Sequence, residues 1–134
     1  MLTLTITTVE REILNLNDVT KVTLPTVDGQ ITVLPGHASL MSALGMGEVY
    51  VTRENEKQHP VFVDGGIIQI DKDHVELLAN MAERAEEIDA AKVEEAKRRA
   101  EKLLEEKPID IDLAKVEASL QREIAKLRLK EKIS

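Results

Sequence analysis

The sequence predicts an α+β chain in two parts. An N-terminal antiparallel β-sandwich, or flattened barrel, takes residues 1–84, and a C-terminal antiparallel two-helix hairpin takes residues 85–134. Three observations predict this. Up to about Asn80 the apolar residues alternate with polar ones or run in short blocks, whereas from Ile88 to Ile133 they recur every three to four residues. Turn signals built of Gly, Pro and Asp punctuate the first part at short intervals. One proline, Pro108, interrupts the second part and divides it into two helices.

Leu2, Leu4 and Ile6 alternate with threonines, the pattern of a strand that buries one face. A second strand runs over Val19–Leu24 and ends at Pro25. Asp28-Gly29 is a turn signal, after which Gln30 to Leu34 resume the alternation until Pro35-Gly36-His37 breaks it. Gly45 and Gly47 flank Met46, and Glu48–Thr52 is the next strand. Arg53 to His59 reads as a polar hairpin loop, Val61–Val63 as a short strand and Asp64-Gly65-Gly66 as a turn or bulge. Ile67–Ile70 and Val75–Ala79, separated by the turn Asp71-Lys72-Asp73, complete the β part. Helix one takes Asp89 as its N-cap and runs to Leu104 or beyond, with Val93, Ala96, Ala100 and Leu103 on one face. Pro108 ends it, Asp110 and Asp112 are the N-cap candidates of helix two, and the face of that helix is Leu113, Val116, Leu120, Ile124 and Leu127. A connection of about five residues makes the pair antiparallel.

Composition narrows the function. Without cysteine there is neither a disulfide nor a thiolate metal site. No run approaches the ~18 apolar residues of a membrane span, and Met1 to Ile6 lack the basic residues of a secretory leader. One Phe, one Tyr and no Trp leave an aliphatic core and no aromatic platform for stacking nucleic-acid bases. Eleven acidic residues face five basic ones up to Ala82, whereas Arg122, Lys126, Arg128, Lys130 and Lys132 crowd the last thirteen positions. An acidic chain with a basic tip argues against nucleic acid and for an acidic protein surface or a bound polyanion. The helical part offers only a narrow apolar stripe, so it needs a partner, either the β part or another protein.

Four segments, in order, resemble the epsilon subunit of the rotary F-type ATP synthase, called delta in mitochondria. Asp28 to Leu40, DGQITVLPGHASL, resembles the family's GELGILPGHAPL. Asp64 to Ile70 resembles its SGGFLEV, and Val75 to Arg84 its VTILADTAER. Ile88-Asp89 then opens an Ala- and Arg-rich helix, and the likeness covers essentially the whole chain. The resemblance implies a sandwich bound to the gamma subunit and seated on the ring of c subunits, and a helical pair that lies folded or extends along gamma toward the alpha and beta subunits to oppose ATP hydrolysis. It implies a coupling and regulatory subunit without chemistry of its own, monomeric in isolation and peripheral to the cytoplasmic face of the cell membrane through its complex.

The resemblance also implies site residues. Gly29, Gln30, Pro35, Gly36 and His37 are the expected contacts with gamma and the ring, with Gln30 standing where many members carry Glu. No cofactor is required, but some bacterial members bind ATP as a regulatory ligand through the pattern I/L-D-x-x-R-A. Here that pattern reads Ile88-Asp89-Ala90-Ala91-Lys92-Val93, so Lys replaces the planar Arg fork. The expected nucleotide set is Glu83, Asp89, Lys92, Arg99, Arg122 and Lys126, and the expected inhibitory contact with the beta subunits is Arg122, Lys126 and Arg128. Plainer readings stand beside these: His37 as a turn residue, Asp89 as a helix cap and the basic residues of helix two as partners of the helix dipole.

Other classes compete less well. A hydrolase built on His37, Ser39 and Asp28 lacks a nucleophile elbow, and His37, His59 and His74 have no metal-ligand spacing. A free ATP-sensing hairpin is the leading rival. A helical scaffold or chaperone is the next, opposed by the polar hairpin tip Glu105-Glu106-Lys107-Pro108.

Overall fold

A computed structural model describes residues 1–55 and 58–133. The chain divides into two compact units, Met1–Arg84 and Ala85–Ser134.

The first unit contains β1 (Leu2–Thr7), β2 (Glu12–Thr26), β3 (Gly29–Val33), β4 (Leu40–Arg53), β5 (Gln58–Asp71) and β6 (His74–Arg84). Their order is β1-β6-β5-β4-β2-β3, and an additional β1–β2 pairing closes the first five into a barrel with β3 added at the edge of β2. Closure removes most free strand edges. The pairings are antiparallel except one: β1 runs parallel to β6, from Thr3 opposite His74 to Thr7 opposite Leu78. The expected all-antiparallel sandwich is therefore corrected at that seam.

The core is aliphatic, as the composition requires. Leu2, Leu4, Ile6, Val19, Val22, Leu24, Val33 and Val49 are fully buried, together with Val51, Val61, Val63, Ile68, Val75 and Leu77. On β5 the residues in the barrel core are Val61 and Val63 before Asp64-Gly65-Gly66 and Ile68 and Ile70 after it, so the inward parity changes across the glycines; Phe62, between Val61 and Val63, is also fully buried but lies outside that core cluster. The same change separates Leu44 from Val49 and Val51 on β4, and Ala79 from Ala82 on β6. Since residues along a strand alternate between faces, a parity change means the strand bends and passes from one layer to the other. Leu44, Gly66 and Ala79 are neighbours across β4, β5 and β6, so all three strands bend at one place.

Gly66 sits there with φ +131°, and a Cβ would overlap the carbonyl oxygen of Leu78 and come within 2.8 Å of the Ala79 Cα. Only glycine lets β5 and β6 approach so closely. The expected short strands and turns at Glu48–Thr52, Val61–Val63 and Ile67–Ile70 are accordingly corrected to long strands that bend without breaking. Of the loop expected at Arg53 to His59, Arg53 ends β4, Gln58 and His59 begin β5, and Glu56 and Lys57 lie outside the described residues.

β2 also exceeds its expected range at both ends. It starts at Glu12 because Glu12 to Val19 pair with β1, and it passes through Pro25, which pairs with Gln30 near the strand end. Proline is tolerated there because a strand end asks for few ladder bonds. Arg53 on β4 donates from Nε to both carboxylate oxygens of Asp18 on β2, at 2.9 and 3.0 Å. That hydrogen bond, with the guanidinium charge, holds the Asp18 carboxyl below its ordinary range.

In the second unit a single 3-10 turn, Ala85–Glu87, leads to α1 (Ala90–Glu106) and α2 (Leu113–Ile133). Asp89 caps α1 by accepting from the Ala91 and Lys92 amides, and Asp112, not Asp110, caps α2 by accepting from those of Ala114 and Lys115. Lys107 closes α1 in the left-handed conformation, its N–H donating to the Leu103 carbonyl, and Pro108 follows. Ala90, Ala91 and Glu94 near the start of α1 share a cleft with Leu127, Lys130 and Glu131 near the end of α2, so the hairpin is antiparallel. Among the described residues no helix is long and apolar enough to cross a membrane.

Candidate functional site

The sandwich presents one outward face that does not look like a solvated surface. Ala43, Ile67 and Leu78 stand opposite one another on β4, β5 and β6, and Leu78 stands opposite Thr7 on β1. Their inward neighbours Leu44, Ile68 and Leu77 fill the core, so this row points out. Ile67 is 47% exposed and Leu78 44%. Met41, two residues before Ala43 on the same face, is 66% exposed. On that face Gln69, Asp71, His74 and Glu76 line an open cleft of about 290 Å³. Large apolar side chains in adjacent positions, rimmed by polar ones, mark a protein-binding surface. Among the described residues no three His, Cys, Asp or Glu side chains are placed to hold a metal ion. Reading Ile67–Ile70 only as a strand leaves the outward row unseen. The available signal was that two consecutive isoleucines on one strand cannot both point inward.

The contacts expected from resemblance divide between two places. Gly29 and Gln30 lie at the start of β3, where the Thr26 hydroxyl donates to the Gly29 carbonyl at 2.6 Å and accepts from the Asp28 amide. Pro35, Gly36 and His37 follow the other end of β3. The Gly36 N–H donates to an Asp73 carboxylate oxygen at 2.7 Å, fastening this turn to the β5–β6 turn. The His37 N–H donates to the Leu34 carbonyl at 3.1 Å, and its ring Nδ1 donates to the Ala38 carbonyl at 2.6 Å. His37 is thus a turn residue in this structure. Roughly 17 Å of extended strand separates Gln30 from Pro35, so the five residues do not form one patch.

On α1, Lys92 and Arg99 are seven residues apart and share a face, about 90° from the buried direction set by Val93 and Ala100. On α2, Arg122 and Lys126 share a side with Leu129, which is fully buried. Glu83 belongs to β6 of the first unit, whereas the other five residues expected to hold nucleotide belong to the second. Asp89 spends one carboxylate oxygen as the cap of α1. The cleft between the helix ends, about 480 Å³ in volume, is lined by Ala90 and Glu94, on the flank of α1 away from Lys92 and Arg99.

Two expectations about α2 change. At 100° per residue Arg122, Lys126 and Lys130 run along one side, and Arg128 and Lys132 lie on another, so the expected single basic stripe is two. Arg122 and Lys126 are half-buried and Arg128 is exposed. The apolar face Leu113, Val116, Leu120, Ile124 and Leu127 is half-buried throughout, while Leu129, 200° from Leu127, is fully buried. The helix therefore buries apolar surface in two directions, and the sequence periodicity found only one.

Comparison with known proteins follows the same division. The β-sandwich domain model of the ATP synthase delta/epsilon chain matches residues 1–85, and the long alpha-helix domain model of that chain matches residues 86–131. The ATP synthase epsilon chain of Moorella thermoacetica is 39% identical over 127 residues, which span 95% of this sequence and 94% of the relative. That of Dehalococcoides mccartyi strain CBDB1 is 41% identical over 132 residues, 98% of this sequence and 93% of the relative. A chain in the cryo-electron microscopy structure of the mitochondrial ATP synthase of Euglena gracilis superposes with a TM-score of 0.68 at 26% identity, covering 98% of this sequence and 78% of its own.

Proposed function

The chain belongs to the ATP synthase delta/epsilon family, and from that premise we propose that it is a non-catalytic central-stalk subunit that couples rotation of the c-ring to the catalytic head and restrains ATP hydrolysis. The observation that carries the docking part is the exposed row of Ile67 and Leu78 with Met41: large apolar side chains side by side on a closed barrel gain free energy when a partner covers them, and gamma is the partner that family membership supplies. The turns at Gly29-Gln30 and Pro35-Gly36-His37, at opposite ends of β3, are the further contacts with gamma and the c-ring. In this reading the protein sits at the cytoplasmic face of the cell membrane through its complex.

The restraining part belongs to the helices. The stripe Leu113 to Leu127 is only half-buried in the closed hairpin, so it can serve a second partner when the hairpin opens along gamma. The basic flanks, Arg122 with Lys126 and Arg128 by itself, then meet acidic surface of the alpha and beta subunits. Exposed ion pairs contribute about 0–1 kcal/mol each, so several act together and salt weakens them. Reconstitution of the complex with three forms of the chain tests both parts. Ile67→Lys combined with Leu78→Glu should leave the chain folded and weaken its binding to gamma more than tenfold. Deletion of residues 108–134 should leave binding intact and raise steady-state ATP hydrolysis. Undiminished binding of the double variant would overturn the docking face, and unchanged hydrolysis in the truncated complex would overturn the restraint.

A further inference from the structure

The end of α2 is fastened to the segment that precedes α1. Lys130 extends its ammonium to two consecutive carbonyls of the 3-10 turn, Ala85 and Glu86, at 3.3 Å each. The Ala85 carbonyl also accepts from the Ile88 amide at 3.2 Å, and the side chains of Ala85 and Ile88 are buried. The residue before Lys130, Leu129, is fully buried. On sequence grounds Lys130 is a solvated residue matched to the helix dipole. In the structure it instead bridges 45 residues of chain and closes the open end of the hairpin, opposite the loop at 107–112.

We infer that Lys130 is a latch: its bond to the Ala85 and Glu86 carbonyls sets how often the end of α2 leaves the root of α1. A hairpin is tethered by its loop at one end, so separation of the helices begins at the other, where only side-chain contacts oppose it. A charged donor shared by two carbonyls is among the stronger single contacts such an end can have. The contact is made in the closed hairpin, so it biases the closed–open equilibrium, and once it breaks the last turns of α2 lose their packing and fray.

The inference rests on the proposed function only for its consequence in the assembled complex. Its structural part is tested in the isolated full chain by hydrogen exchange, comparing the natural protein with Lys130→Met, Lys130→Arg and Lys132→Met. Lys130→Met keeps the aliphatic stem and removes the donors. It should speed exchange of the last two turns of α2 and of the Ile88 amide together, by about tenfold, and leave the middle of α1 and the sandwich unchanged. Lys130→Arg should restore protection, and Lys132→Met, two residues on and 200° round the helix, should not reduce it. Unchanged exchange in Lys130→Met, equal acceleration along the whole of α2, or the same loss from Lys132→Met would each overturn the latch. In the reconstituted complex Lys130→Met should lower ATP hydrolysis, because an open hairpin is the restraining one. Accelerated exchange with unaltered hydrolysis would keep the latch and refute the restraint by the helices.

Discussion

Replacing Gly66 by alanine should be the most damaging single-methyl change in the sandwich. The φ of +131° lies where an L side chain is strained, at a cost of about 1–3 kcal/mol. The added Cβ would overlap the Leu78 carbonyl oxygen and lie 2.8 Å from the Ala79 Cα. Both are backbone atoms of the neighbouring strand, so relief requires β5 and β6 to move apart at the bend rather than a side chain to turn. Forced expansion of this kind costs about 1–3 kcal/mol more, giving about 2–6 kcal/mol in all. Gly36 is the control, because its φ is +86° but a Cβ there would have no neighbour within 4 Å. Gly36→Ala should therefore cost only the backbone term, about 1 kcal/mol. Urea unfolding of the full chain measures both, with the single tyrosine, Tyr50 of β4, reporting on the sandwich and helical circular dichroism on the second unit. With a slope of about 1.5 kcal/mol per molar urea, Gly66→Ala should lower the tyrosine midpoint by ~1–4 M and Gly36→Ala by less than ~1 M. Equal midpoints for the two variants would refute the close approach of β5 and β6 as the reason for glycine at 66.

Two further perturbations follow. Asp18 has its pKa lowered by the Arg53 hydrogen bond, so its contribution to stability is present above the ordinary value of 3.8 and is lost as pH falls through the lower folded value. An acid series of sandwich unfolding midpoints should fall less steeply below pH 4 for Asp18→Asn than for the natural chain, and parallel curves would rule out the pair as the cause. Leu129→Ala removes a fully buried side chain and should cost about 2–4 kcal/mol, whereas Leu113→Ala, at the half-buried far end of the helix, should cost less. Thermal unfolding followed at 222 nm compares them, and equal losses would contradict the second buried direction of α2.

Local chemistry made the helices legible. Asp89 and Asp112 are caps because a short carboxylate before an apolar period satisfies the first free amides, and Pro108 excludes continuation of α1; both rules act within a few residues. The strand at Leu2–Thr7 was legible for the same reason, since its alternation needs only one buried face. What resemblance assigned was less complete. The resemblance assigns Gly29-Gln30 and Pro35-Gly36-His37 together to gamma and the ring, and β3 holds the two groups of contacts at its opposite ends. Arg122, Lys126 and Arg128 were read as one stripe because they are close in number, and the helix turns Arg128 away from the other two.

The sequence by itself determined two units of different period, the aliphatic core of the first, the capped helices of the second and the family to which they belong. Only the packed chain shows that the glycine-interrupted segments of β4 and β5 are continuous strands that bend with β6 from layer to layer, that β1 lies parallel to β6, that Ile67 and Leu78 face outward together, and that Lys130 reaches Ala85 and Glu86. The physical reason is the same in each case. Period, capping and turn chemistry act between residues a few positions apart, whereas strand register, barrel closure and the second buried side of α2 depend on partners tens of residues away. Such pairings follow from which surfaces meet, and no local pattern in the chain records them.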